Sequence, residues 1–355
     1  MGSLGALRRG SYVTVVLLLG LLSFFLLMIL VIVDFVLQTT ATPYAILLLV
    51  GFAVLFILLQ WAVSPAIVRW AIRDRQPVTP QTNPWLYGTV QQLAQQAGVP
   101  MPRHVWVSAD QLPNAFVFGR TLASSELVVT HALLADLNQD EVRAVLAHEI
   151  GHLRHRDVII MTLVSAIPIL AYVAARVGFE ALRHGRPRGK NAGAAIAIAL
   201  FVAIMSYAVY LVTQLLVLYL SRTRESYADA YSGAATRDPH LLASALTKIA
   251  YGLSLARRDS EPSGLRAFMI GDPVHAADDY RLLRDRMARY DIDRDGQLDG
   301  YELQKAMEQE RRSSWRRANE LFSTHPPTYA RILMLEQLEE EIKKGGLPAN
   351  VYEFV

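Results

Sequence analysis

Residues 12–33, YVTVVLLLGLLSFFLLMILVIV, carry no charged side chain, and a run of that length can satisfy its backbone in hydrocarbon only as a helix. A cleaved leader is excluded by length, because an apolar leader core runs about 7–15 residues. A second run, 44–63, follows a short link holding Asp34 and Pro43, so the two form a hairpin. Hydrophobic letters make up 52% of the 355 residues and charged letters 19%, as expected of a chain that puts several helices in lipid. Two more apolar stretches lie at 158–175 and 192–220, giving a mainly α membrane protein with about four apolar membrane helices.

Arg8 and Arg9 precede the first run, Arg69, Arg73 and Arg75 follow the second, and the link between has no basic residue. The positive-inside rule then places both ends of this hairpin in the cytoplasm. The link between the third and fourth stretches holds Arg176, Arg183, Arg186, Arg188 and Lys190, which breaks the rule if both cross fully. A re-entrant hairpin would keep it inside, and the sequence leaves the two open. The expected organisation is a transmembrane hairpin at 1–63, a first part of a folded domain at 64–156, a second membrane hairpin at 157–220 and the rest of the domain at 221–355.

The net charge of +3, with basic residues spread over membrane flanks and tail, argues against a nucleic-acid partner. With no cysteine, a metal site here must use histidines and carboxylates.

Residues 81–156 read as a compact α/β piece with a helix at 84–97 and strands at 104–107, 115–118 and 126–130. A further helix opens at NQDE, where Asn138 suits the cap and Asp140 with Glu141 suit the positive end of the dipole. It runs through HEIGH at 148–152. Four residues place His148 and His152 about 40 degrees apart round the axis, so both imidazoles serve one point, with Glu149 beside them. Two imidazoles hold zinc, a position stays open for water, and the carboxylate takes the water's proton. Two surface histidines would give the same letters, but Val142, Val145, Leu146, Ile150 and Leu153 make this helix a core helix. His155 faces away from the pair and is expected in solvent. The expected third ligand is Glu225 in SRTRESYADAYSG, with Asp229 one turn on to accept the free N–H of a ligand histidine.

Four motifs, HEIGH, the trailing RDVIIMTL, SRTRESYADAYSG and FSTHPPTYARI at 322–332, stand in one order and together resemble the HtpX-type membrane metalloproteases, kin to the CAAX prenyl-proteases. The likeness runs from about residue 60 onward. It implies a zincin-like metalloprotease domain, α/β to α with a small sheet. It further implies a zinc endopeptidase facing the cytoplasm of a prokaryotic plasma membrane and clearing damaged or misfolded membrane proteins. PNAFVFG at 113–119 resembles the segment that pairs with substrate, which assigns peptide binding to Asn114, Ala115 and Phe116; an ordinary internal strand is the alternative. His325 has two readings, a cap on the last helix or a donor to the oxyanion of the tetrahedral intermediate, and Arg331 is a candidate to anchor its loop.

The segment between Glu225 and His325 is longer than such proteases usually carry, with an EF-hand-like insert at about 272–318. In DIDRDGQLDGYE, Asp291, Asp293, Asp295 and Asp299 occupy positions 1, 3, 5 and 9, Gly296 the turn, Gln297 the carbonyl slot and Glu302 the bidentate position 12. That pattern predicts bound Ca²⁺. EF-hands usually pair and no second loop is evident, so a second copy of the chain is one way to complete it. The rival reading is a calcium-binding membrane adaptor or scaffold whose zinc is structural.

Overall fold

The computed structural model describes residues 13–18, 20–21, 42–72, 74–184, 192–255, 270, 323 and 325–343. In chain order the elements are α1 (Thr42–Ala71), β1 (Arg75–Pro77), α2 (Pro84–Ala97), β2 (His104–Ser108), β3 (Ala115–Phe118), a 3₁₀ turn (Leu122–Ser124), β4 (Glu126–Thr130), α3 (His131–Asp136), α4 (Gln139–Arg154), α5 (Asp157–His184), α6 (Ala192–Thr236), α7 (Pro239–Leu255) and α8 (Thr328–Lys343). The chain is a mainly helical membrane protein with a small mixed sheet, the fold class expected from its sequence. It divides into two compact units. One gathers Ser64–Ile159 with the described residues of Ser221–Val355, the other the described residues of Ala6–Val63 with Ile160–Leu220.

Among the described residues three helical segments are long and apolar enough to cross a membrane: Gly51–Ala71, Asp157–Glu180 and Ile196–Thr236. The run 12–33 is described only at 13–18 and 20–21, and is helical there. In this apolar unit large side chains such as Leu55, Ile204 and Val212 face outward, as lipid allows, while Leu18, Val164, Ile167, Val217 and Leu220 pack inside. Without a hydrophobic drive between helices, close approach and polar pairs hold them together. A side chain on Gly178 would meet Ala203 at 2.9 Å, and Gln60 Nε2 donates to Ser165 Oγ at 3.2 Å.

In the other unit the strand order is β1-β2-β4-β3, with β2 and β4 parallel and the outer pairs antiparallel. The strands alternate, and both faces are covered. Val105, Val117, Leu127 and Val129 enter the main core with Val142, Val145, Leu146, Ile150 and Leu153 of α4. Phe116, Phe118 and Val128 meet Val68 and Ile72 on the opposite face. The three strands expected from the sequence are present. β1, only three residues long, has too little pattern to be read.

The helices begin where capping chemistry allows. Asn83 accepts from Leu86 N–H ahead of Pro84, and α2 ends on Gly98 in the left-handed region at φ 65. On α4, Asn138 and Glu141 exchange hydrogen bonds in a reciprocal capping box, each 2.9 Å. Glu141 also accepts from Ser244 and Lys248 of α7 at 2.7 and 2.9 Å, tying the metal-site helix to its neighbour. Burial opposes ionisation of Glu141, but the bonds from Lys248, Ser244 and the Asn138 backbone outweigh it and hold its pKa below the ordinary 4.5. A folded-state pKa below the unfolded one gives stability that is present above 4.5 and lost as pH falls through the folded value. Glu141→Gln is therefore expected to cost about 1 kcal/mol at pH 7, a modest figure because the Lys248 ammonium is half-exposed. Unfolding curves of parent and variant should converge as pH drops below 4.5, and a gap that stays constant with pH would refute this.

Gly151 sets the distance between α4 and α6. A Cβ there would stand 2.9 Å from the Tyr231 ring and 3.3 Å from Ala228 Cα, so only glycine lets α6 cross this closely. Ser232 of α6 confirms the approach by donating to Ala144 O at 2.6 Å.

Candidate metal centre

His148 and His152 leave α4 on one face, and α6 crosses above them with Glu225 and Asp229 one turn apart. His148 Nε2 and His152 Nε2 lie 3.2 Å apart, His148 Nε2 is 3.6 Å from Glu225 Oε2, and His152 Nε2 is 3.4 Å from Glu225 Oε1. Ligands about 2.0–2.1 Å from a tetrahedral ion sit about 3.3–3.4 Å from one another. The two Nε2 atoms, and the Glu225 oxygen that faces each of them, lie at about that spacing, and among the described residues these three side chains form the group that could hold a metal.

The far nitrogens settle which tautomer faces inward. His148 Nδ1 is 2.9 Å from Asp229 Oδ1, and His152 Nδ1 is 2.8 Å from Asp157 Oδ2. A carboxylate beside each Nδ1 suits an N–H there and turns both Nε2 atoms toward the shared point. Burial pulls His148 below the usual imidazole range. Burial pulls His152 the same way, but its bonds to Asp157 and Glu225 outweigh that and hold it well above.

Asp229 is fixed in turn. Arg331 of α8 grips it with two parallel bonds, Nε to Oδ2 at 2.8 Å and Nη2 to Oδ1 at 2.6 Å, the bidentate geometry that suits a guanidinium and a carboxylate. The same arginine donates to Ile270 O at 2.6 Å and stands 3.5 Å from Glu225. Burial lowers its pKa, yet Asp229 outweighs that and raises it. His325 is buried with Nδ1 3.3 Å from Glu225 Oε2, and Ser323 Oγ donates to its backbone oxygen at 2.7 Å.

Glu149 is buried beside the pair, and burial pushes its carboxyl up to about 8. The backbone N–H of Val117 in β3 donates to it. Asn114 N and O both bond Thr130, so along β3 the main-chain groups of residues 114 and 116 point to β4 while those of 115 and 117 point to the edge that pairs with no described strand. Among Asn114, Ala115 and Phe116, only Ala115 therefore turns its backbone to that edge. The Asn114 side chain accepts from Ile270 N–H at 2.9 Å.

His155 departs from expectation. It forms the cap residue of α4, half-buried with its ring 5.6 Å from that of Tyr227, and burial drives it down to about 4. The expectation of a solvated end residue failed because α6 passes over this turn, which the α4 sequence alone does not reveal. Asp157 was not foreseen as a partner of His152. Five residues along a continuous helix would turn it about 140 degrees away, but Arg156 at φ 60 breaks the helix and swings Asp157 back. Arg224 of α6 then bonds both Asp157 and the His155 carbonyl. Asp291, Asp293, Asp295, Gln297, Asp299 and Glu302 lie outside the described residues.

An HExxH helix closed by a glutamate from a second helix is the site of a metallopeptidase. The chain belongs to peptidase family M48, whose model matches residues 80–339. A protease HtpX homolog of Aeropyrum pernix is 36% identical over 299 residues, covering 83% of this chain and 86% of that one. One from Methanothermobacter thermautotrophicus is 40% identical over 216 residues, 61% of this chain and 77% of that one. Among solved structures, S. mikatae Ste24p aligns at 16% identity and a TM-score of 0.46, over 94% of this chain and 66% of that one. The HtpX-type resemblance read from the motifs thus holds, and the chain is a membrane metalloprotease.

Proposed function

We propose that the chain is a zinc-dependent endopeptidase that cuts damaged or misfolded membrane proteins, with its site on the cytoplasmic side of a prokaryotic plasma membrane. The observation that carries the zinc assignment is the grouping of His148, His152 and Glu225, with the two Nε2 atoms 3.2 Å apart and 3.6 and 3.4 Å from the two carboxylate oxygens of Glu225. Zinc held there would supply Lewis acidity, lowering the pKa of water and polarising the scissile carbonyl. Glu149 receives the proton of the attacking water and passes it to the leaving amine, a role open to a carboxylate buried beside the two histidines. His325 donates to the developing oxyanion, while Arg331 acts by holding Asp229 and Glu225 in place. An extended substrate lies along the β3 edge and pairs with the outward groups of Ala115. A structural zinc with four protein ligands, as the adaptor reading needs, finds only three donors grouped among the described residues.

The test is cleavage of an unfolded membrane-protein substrate by the full chain, with and without a zinc chelator. Loss of cleavage with chelator and its return with zinc are expected; chelator-resistant cleavage would contradict the proposal. Asp157→Ala should weaken zinc binding about 10–100-fold by freeing the His152 ring, measured by competition with a chromophoric chelator. Unchanged affinity would remove Asp157 from the site.

The proposal includes Ca²⁺ at 291–302, resting on the twelve-position spacing of that loop. Cleavage rate or thermal stability should then respond to calcium at about 10⁻⁷–10⁻⁵ M, and Glu302→Gln should abolish the response. A parent flat through the titration would remove calcium from the account.

A further inference from the structure

Ile270 is bonded through both its backbone groups to residues far off in the chain. Its N–H donates to Asn114 Oδ1 at 2.9 Å, and its carbonyl accepts from Arg331 Nη1 at 2.6 Å. Arg331 continues the line with its two bonds to Asp229, and Asp229 Oδ1 stands 2.9 Å from His148 Nδ1. A chain of polar contacts thus runs from the residue ahead of β3 to a metal-site histidine. None of its five members is more than 5% exposed, so water offers no substitute for a bond lost from it.

Both ends of this line are anchored. Asn114 N–H donates to Thr130 Oγ1 and its carbonyl accepts from Thr130 N–H, each at 2.9 Å, and Thr130 in turn caps α3. At the other end the Arg331 guanidinium is a planar fork, with Nε and Nη2 on Asp229 and Nη1 on the Ile270 carbonyl, and contacts at two of its sides fix its plane. Nη2 also lies 3.5 Å from Glu225 Oε2, so the setting of this plane bears on the anionic ligand as well as on the carboxylate behind His148. Loss of the Asn114 acceptor would leave a buried N–H unpaired at Ile270, and a shift of that residue would take one support from Arg331.

The motif at 113–119 assigns the Asn114 side chain to peptide binding, yet its amide oxygen is bonded to Ile270 while the next residue, Ala115, turns its backbone to the strand edge. We propose that Asn114 is a positioning residue of the metal centre: its amide holds residue 270 so that Arg331, Asp229 and His148 keep the setting the ion needs. The inference rests on the zinc peptidase reading of the site. Ala115 meets the substrate, and Asn114 beside it ties the same strand to the group that holds zinc, so the two are set in one frame.

The test compares the full chain with an Asn114→Ala variant by zinc affinity against a chromophoric chelator, by KM on a peptide at saturating zinc, and by a thermal melt of the zinc-free chain. Loss of the amide should weaken zinc binding about tenfold, the lower end of the range for an orienting partner because Ile270 and Arg331 intervene, and leave KM within about twofold of the parent. Coupling is reciprocal, so in the parent zinc should slow amide exchange at Ile270, relative to amides of α2, by about the same factor. That measurement needs no substitution and decides the matter if the variant does not fold. A raised KM with parental zinc affinity would make Asn114 a substrate contact and overturn the inference. A lower melting temperature with parental zinc affinity, or Ile270 exchange indifferent to zinc, would reduce the amide to a structural role and overturn it too. A parent that binds no zinc would overturn the zinc peptidase reading itself, which separates that failure from this one.

Discussion

Glu149→Gln is expected to slow peptide cleavage by about 10²–10⁴-fold while the metal content of the chain stays unchanged. Glu149 is outside the triangle formed by His148, His152 and Glu225, so the ion has no ligand to lose. The amide keeps the size of the carboxyl and still accepts the Val117 N–H, so β3 and α4 need not move. What disappears is a group that can take a proton. The check is metal analysis beside a cleavage rate on the same preparation. A variant that loses its metal, or keeps cutting at the parental rate, would reassign Glu149.

Glu225→Ala should do the reverse and empty the site, lowering zinc affinity by more than about 100-fold, beyond what loss of an orienting partner costs. Glu225 reaches both histidines, at 3.6 and 3.4 Å, and without it two imidazoles remain facing each other at 3.2 Å with no anionic donor. Arg331 keeps its two bonds to Asp229, so the α6–α8 contact should survive and a circular dichroism melt should still show a folded chain. A folded Glu225→Ala protein that retains zinc through dialysis would require a different third ligand.

How far each residue could be read from sequence depends on how local its geometry is. The HEIGH pair was legible because a helix fixes where residues four apart point, and strands 115–118 and 126–130 because burial on two faces leaves unbroken β-branched and aromatic runs. Asp157 was hidden by a local conformation, the left-handed Arg156 that no adjacent letter announces. The Arg331 grip on Asp229 joins residues more than a hundred apart, and nothing in either segment reveals that α8 lies over α6. Asn114 shows the limit of a motif. Its place beside the edge strand is as the sequence suggests, but its amide oxygen is taken by Ile270 and its backbone by Thr130. The apolar runs announced membrane helices by composition alone, whereas the polar contact that ties Gln60 to Ser165 within them had no pattern to betray it.

Zinc titration into the chelator-stripped full chain, with cleavage of an unfolded membrane-protein substrate recorded at each addition, tests the central claim most directly. If His148, His152 and Glu225 hold the catalytic ion, the rate should rise linearly to a plateau at one zinc per chain in the parent. Glu149→Gln should bind the same single equivalent with no recovery of rate. Full activity in the stripped protein, or a plateau that Glu225→Ala reaches as readily as the parent, would contradict it.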